Sequence, residues 1–314
     1  MQITEPIIFE PLCMERVWGG RRLETLFGRH LPSNTRIGES WEIVDREEAQ
    51  SVVHRGALAG KTLHELWANF RAEIFGEGAP DTPRFPLLCK LLDARERLSV
   101  QVHPPPEIAL ELGGEPKTEA WFVVENYGDG DLFAGLKRGV TRRDFERALQ
   151  AGDVEKKIHR VPVRAGDTMF IPSGRLHAIG AGNVIVEVQQ NSDTTYRVFD
   201  WNRVGLDGKK RDLHLEESLR SIDFHDPEPA LQIPQGELLV ESDFFRIERW
   251  HLTAPRAAAP PSQFAICTCL TGVVACAGCE FKAGDFFLIP AALPLRTLTP
   301  RGESASILRT TIPR

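Results

Sequence analysis

Apolar residues recur at helical spacing in only a few places along this chain. Leu63, Leu66, Trp67, Phe70 and Ile74 share one helical face behind Thr62, a residue type that caps helix starts. Phe145 and Leu149 stand four apart in Arg142–Gln150, between a capping Thr141 and a terminating Gly152. Leu213–Ile222 is a third helical stretch. Elsewhere the apolar runs are short and broken by Gly, Pro and Asp, as strands are. The clearest are Leu87–Leu92, Leu98–Val102, Ala120–Glu125, Thr168–Ile171, Val184–Gln190 and Phe281–Ile289. Many short strands with few helices predict barrels or sandwiches carrying helical decoration.

One strand pattern occurs twice. Ala165-Gly166-Asp167-Thr168-Met169-Phe170-Ile171-Pro172 returns 118 residues later, without a gap, as Ala283-Gly284-Asp285-Phe286-Phe287-Leu288-Ile289-Pro290. Gly-Asp makes a tight turn, the apolar run a buried strand, and Pro ends it. Two such stretches predict two related β-barrels. The polar, Pro-rich stretch Asp223–Gly236 is the expected boundary, giving domains of 1–235 and 236–314. Five residues past the Pro the copies differ: His177 in the first, Leu295 in the second. The first copy is therefore expected to carry the chemistry and the second to be structural.

Composition narrows the function classes. Hydrophobic residues at 42% and charged residues at 26% fit a globular protein with a sizeable core. A net charge of −6 argues against broad binding to nucleic acid or anionic membranes, while leaving room for a small basic pocket. No secretory signal and no membrane-length apolar run are read. Six cysteines in 314 residues do not make a disulfide scaffold, so a reducing, cytoplasmic setting is expected.

The candidate chemistry lies in three strands. In Leu98–His103, alternation puts Ser99, Gln101 and His103 on one face and Leu98, Val100 and Val102 on the other. A polar strand face is usually solvated; turned inward, Gln101 and His103 would offer oxygen and nitrogen to one metal ion. Lys117 and Glu119 repeat the spacing ahead of Ala120-Trp121-Phe122-Val123-Val124. A carboxylate entering so apolar a strand costs free energy unless it meets a cation or a metal. His177 follows the Gly-Asp strand and its Pro-x-Gly turn. Gln101, His103, Glu119 and His177 thus form a mixed nitrogen and oxygen set suited to zinc or a similar divalent ion. Asp193 and Arg197, four apart, share a face of a very polar segment.

These motifs together resemble the type I phosphomannose isomerases in their shorter bacterial form, which are metal-dependent cupins. The resemblance runs through Val17-Trp18-Gly19-Gly20, Gly38-Glu39-Ser40-Trp41-Glu42 and Phe85–Ala94. It continues in Leu98–Pro104, Lys117-Thr118-Glu119, His177-Ala178-Ile179 and Tyr196–Trp201, and fades after residue 205. It implies a mainly β chain of two cupin-like barrels (jelly rolls) with an α-helical insertion, the first barrel holding one zinc or another divalent ion. It implies Gln101, His103, Glu119 and His177 as ligands, Lys117, Asp193 and Arg197 as catalytic groups, and Ser99 and Lys90 near a substrate phosphate. The implied reaction interconverts mannose 6-phosphate and fructose 6-phosphate through a cis-enediol(ate), in a monomer or homodimer. One departure is Pro116, where longer members carry a His before the Lys-x-Glu, so no role of that His transfers.

Two other functions fit a metal-bearing β fold: an oxygenase, or a non-catalytic sugar-binding protein. Metal oxygenases of this fold often use a His-x-His pair, whereas Gln101-Val102-His103 offers one imidazole. Cys267-x-Cys269 and Cys276-x-x-Cys279 have spacings a structural zinc uses, but the hairpin signal between them favours buried small residues in strands.

Overall fold

A computed structural model describes residues 3–128 and 130–313. The chain divides into two compact units. One comprises Cys13–Ser40 and Lys90–Gln232; the other takes the chain up to Leu12, Trp41–Cys89 and the residues from Ile233 onward.

The strands of the first unit are β1 (Leu12–Gly20), β2 (Ile37–Ile43), β3 (Leu87–Ala94), β4 (Val100–Val102), β5 (Glu119–Asn126), β6 (Asp131–Leu136), β7 (Ile158–Pro162), β8 (Thr168–Ile171), β9 (His177–Ile179), β10 (Asn183–Gln190) and β11 (Tyr196–Phe199), with β1 counted from Cys13, β2 to Ser40 and β3 from Lys90. They form a six-stranded sheet in the order β1-β2-β3-β10-β5-β8 and a five-stranded sheet in the order β11-β4-β9-β6-β7. Trp18, Leu92, Trp121, Met169, Ile171 and Ile185 from the first sheet meet Leu132, Ala134, Val161 and Ile179 from the second in one buried cluster. The sheets therefore pack face to face. On the other side of the five-stranded sheet, Val100, Val102, Phe133, Ala178, Tyr196 and Val198 pack with Phe145 and Ile222. That layer is closed by the helices Arg142–Ala151 and Leu215–Ser221.

The parity expected of the Gln-x-His strand holds for Val100 and Val102, which lie under the helices. Leu98 does not join them; it belongs to the cluster between the sheets. The strand begins only at Val100, so alternation does not extend back to Leu98.

The second unit holds β12 (Leu238–Glu241), β13 (Arg246–Leu252), β14 (Arg256–Ala257), β15 (Ala265–Cys276), β16 (Cys279–Lys282), β17 (Phe286–Ile289) and β18 (Thr297–Thr311) in one sheet. Helices Leu63–Asn69 and Arg71–Phe75 belong to this unit, and Trp67, Phe75, Phe85 and Phe264 make edge-on ring contacts within it. The protein is thus mainly β, as the sequence predicts. The closed barrels are not what forms: among the described residues there are three antiparallel sheets, each open at its ends. The edge strands β1 and β8 do not pair with each other, and the cores are closed by sheet and helix packing instead.

The sequence repeat is a structural repeat. Gly166 and Gly284 have φ of +97° and +89°, a conformation that glycine reaches without a side-chain clash. Gly166 N–H donates to the Val123 carbonyl and Gly284 N–H to that of Cys269; the carbonyls of Asp167 and Asp285 accept from the same two residues in return. The turn also divides the expected strand Phe281–Ile289 into β16 and β17, because residues 283–285 reverse the chain.

Both expected caps form. Thr62 and Thr141 each accept from the backbone N–H three residues on, and Glu65 and Asp144 reciprocate. Thr141→Ala is expected to lower stability by about 1 kcal/mol, the usual worth of such a cap, read as a lower urea midpoint with unchanged slope. An unchanged midpoint would mean that packing alone holds the helix.

Candidate active site

Three strand registers assemble the site. Arg197 on β11 lies opposite Gln101 on β4, and Gln101 lies opposite His177 on β9, so these three side chains form a row across the five-stranded sheet. On the facing sheet, Glu119 lies opposite Gln189 and Trp121 opposite Glu187. The turn that delivers His177 is pinned. The Gly174 N–H donates to the His103 carbonyl, and Arg175 forks onto Asp226 at 2.6 and 2.9 Å.

His103, Glu119 and His177 are buried, and their ligand atoms lie within 4.8 Å of one another. Each imidazole points its Nδ1 at a carbonyl, His103 at Thr194 and His177 at Arg175, both at 2.8 Å. A donor Nδ1 leaves Nε2 as the free lone pair, the tautomer a metal ligand needs. His103 Nε2 and Glu119 Oε1 are buried without a hydrogen-bond partner, while Glu119 Oε2 faces Lys117 Nζ. Orphaned acceptors of this kind are costly, and a divalent cation satisfies all of them at once. Gln101 stands beside the group, with its amide nitrogen 3.2 Å from His177 Nε2. The residues present therefore fit a metal. Burial, with Lys117 adding to it, pushes His103 down to about 3 against the pull of Glu119, so it is neutral and able to ligate at ordinary pH. His177 is lowered chiefly by burial.

A cavity of about 580 Å³ opens beside this group. It is lined by Lys90, Ser99, Gln101, Lys117, Asp193 and Arg197, which are all of the predicted site residues outside the His-Glu-His set. Lys117 Nζ is 2.8 Å from Glu119 Oε2. Burial works to lower the Lys117 ammonium, but the carboxylates of Glu119, Glu187 and Asp193 prevail and raise it, so Lys117 is a firm cation. Arg197 Nη1 donates to the Asp212 carbonyl at 2.8 Å, while its buried Nε has no hydrogen-bond partner. Ser99 is buried, with its hydroxyl 3.4 Å from the Gln101 amide oxygen.

The sequence reading missed the charged row along the cavity wall. Glu39 accepts a fork from Arg16, Lys90 lies 3.9 Å from Glu39 and 3.4 Å from Glu187, and Glu187 accepts from the Trp121 indole N–H at 2.8 Å. Burial raises the Glu187 carboxyl, with the Glu119 charge adding to the effect. A signal was present: a lone carboxylate in the apolar run Val184-Ile185-Val186-Glu187-Val188 demands partners.

The C-terminal cysteines are free thiols. Burial pushes Cys267 and Cys269 up to about 12 and Cys276 up to about 11. The Cys276 and Cys279 thiols point to the Leu295 carbonyl and to Glu5, each at 3.5 Å. Thiols held as donors are poor zinc ligands, which bind as thiolates.

Comparison with known proteins places this architecture. Residues 8–121 match the family described as "Phosphomannose isomerase type I, catalytic domain". The Bacillus subtilis protein GmuF, named "Probable mannose-6-phosphate isomerase", is 38% identical over 92% of this chain and 94% of its own. Mannose-6-phosphate isomerase ManA of Bacillus subtilis is 36% identical over the same shares. The crystal structure of the mannose 6-phosphate isomerase from Bacillus subtilis superposes with a TM-score of 0.87 at 31% identity, covering 98% of this chain and 99% of that one.

Proposed function

The chain belongs to the type I phosphomannose isomerase family, and from that premise we propose that it interconverts mannose 6-phosphate and fructose 6-phosphate. The observation that carries the proposal is that the cavity lined by Lys117, Asp193 and Arg197 lies beside a buried His103-Glu119-His177 group in which His103 Nε2 and Glu119 Oε1 lack partners. The reaction takes a proton from C2 and returns one to C1 through a cis-enediol(ate). It needs a base, stabilisation of developing negative charge on oxygen, and a hold on the phosphate.

Gln101, His103, Glu119 and His177 would hold zinc or another divalent ion, which supplies a Lewis acid for the sugar oxygens. Lys117, kept protonated by the surrounding carboxylates, donates to an oxygen that gains charge. Asp193, an exposed carboxylate on the cavity wall, carries the proton between C2 and C1. Arg197 directs its unpartnered Nε at the enediolate. Ser99 and Lys90 line the substrate's path, with Lys90 sharing its charge between Glu39 and Glu187. In this reading the two units are open relatives of cupin jelly rolls, and the catalytic metal is confined to residues 1–235. Six free cysteines support a cytoplasmic setting.

The test is a coupled isomerase assay over phosphorylated and free aldoses, on protein of measured metal content, with oxygen uptake followed in parallel. Turnover of mannose 6-phosphate without oxygen consumption is expected. Metal-replete protein that consumes oxygen, or that binds sugar without converting it, would overturn the proposal.

A further inference from the structure

A dianion needs a cation that is not already neutralised, and Lys90 has two carboxylates within 4 Å. The cavity's excess of positive charge lies elsewhere, around Asp200. This buried carboxylate accepts from Arg203 Nε at 2.9 Å and from Arg211 Nε and Nη2 at 2.7 and 2.5 Å. Burial disfavours the charge of Arg197, and Arg211 and Arg203 are close enough to add to that effect. Three guanidiniums thus gather around Asp200, with Asp212 also near Arg197 and Glu96 near Arg203. Their fates differ. Arg203 turns away to the Arg97 carbonyl and does not line the cavity. Arg197 is anchored on the Asp212 carbonyl beside Gln101. Arg211 lines the cavity, and its Nη1 makes no hydrogen bond among the described residues.

Arg211 also belongs to a distinct local structure. Val204 pairs with Lys210, and Gly205 N–H donates to the Lys209 carbonyl, so residues 204–210 form a small hairpin. Gly205, Leu206 and Asp207 of this hairpin line the cavity together with Arg211. Leu206 is 58% exposed. The hairpin therefore forms an outer wall, whereas Arg197 comes from the sheet that carries Gln101 and His177. A hexose phosphate has its phosphorus on C6, at the opposite end from the reacting C1 and C2. With C1 and C2 beside the His-Glu-His group, the phosphate faces the outer wall.

We propose that Arg211 is the specificity-determining contact for the substrate's phosphate and that Asp200 is its positioning residue. The inference rests on the isomerase reading and deepens it. Asp200 takes Nε and Nη2 of Arg211, fixing the plane of the guanidinium and leaving its remaining edge for phosphate oxygens, a geometry that Lys cannot copy.

The experiment compares wild type, Arg211→Ala, Arg211→Lys and Asp200→Asn, all metal-loaded and checked for folding by circular dichroism. For Arg211→Ala the KM for mannose 6-phosphate is expected to rise roughly ten- to a hundredfold, the scale of a charged hydrogen bond, with kcat within about threefold. The preference for mannose 6-phosphate over free mannose falls by the same factor, and Arg211→Lys recovers part of it. Asp200→Asn shifts KM in the same direction, because the guanidinium loses its fixed plane. Calorimetric titration with inorganic phosphate alone is the independent arm, and Arg211→Ala should weaken that binding at least about tenfold. Unchanged phosphate binding, or a loss in kcat shared equally by both sugars, would overturn the assignment. A wild type that binds phosphate through Arg211 but does not isomerise the sugar would instead defeat the isomerase reading.

Discussion

His103→Ala and His177→Ala are each expected to strip the metal and reduce isomerisation by more than about a hundredfold, beyond the 10–100-fold typical of losing a metal's outer partners. The reason is arithmetic on donors. The group offers two imidazoles, one carboxylate and one amide, and losing an imidazole leaves a weak amide and two other ligands. The loss is also local. Both rings are buried, and their Nδ1 atoms hold only backbone carbonyls. Elemental analysis after chelation and reloading would show about one metal ion per wild-type chain and far less in either variant. Cys276→Ser should leave that count unchanged, since its thiol already donates to a carbonyl. His159→Ala is the clean control. His214→Ala is a different case: its Nδ1 accepts the Arg197 backbone N–H, so it should keep the metal while disturbing Arg197. Full metal and full activity in both ligand variants would sink the site.

How far the site was legible depended on the kind of signal. Strand parity works where a strand is regular, and Gln101 could be separated from Val100 and Val102 on that basis alone. His177 became legible through the repeat, because the Gly-Asp turn and the Pro stop recur in the chain and only one copy ends in an imidazole. The caps at Thr62 and Thr141 were readable because they depend on residues three apart. What stayed hidden is what depends on sheet order. Glu187 finds Trp121 across 66 residues of chain, and Lys90 reaches Glu187 only because β3 and β10 are neighbours. No local pattern encodes that adjacency. The charge state of Lys117 was hidden for the same reason, being set by carboxylates from separate strands. Barrel closure likewise depends on whether edge strands meet, which a repeat cannot reveal.

Arg197→Lys is expected to lower kcat by about 10²–10³-fold, the scale of losing one preorganised donor to a developing oxyanion, with metal content unchanged. Arg197 lies in register with Gln101 and so stands one strand from β4, which leads into His103 of the candidate metal group. Its Nη1 is fixed on the Asp212 carbonyl, and its Nε is buried and unpartnered. A buried donor without an acceptor is costly in the resting protein. That cost is recovered when an oxygen of the reacting sugar accepts from it, and most fully when that oxygen carries negative charge. Lysine keeps the charge but has one nitrogen, so it cannot hold the Asp212 carbonyl and present a second donor from a fixed plane. The deficit should therefore fall on kcat and equally on kcat/KM. This separates Arg197 from Arg211, whose loss is expected in KM. A rise in KM alone for Arg197→Lys would move Arg197 to ground-state phosphate binding. Unchanged kcat and KM with the metal retained would remove it from the reaction.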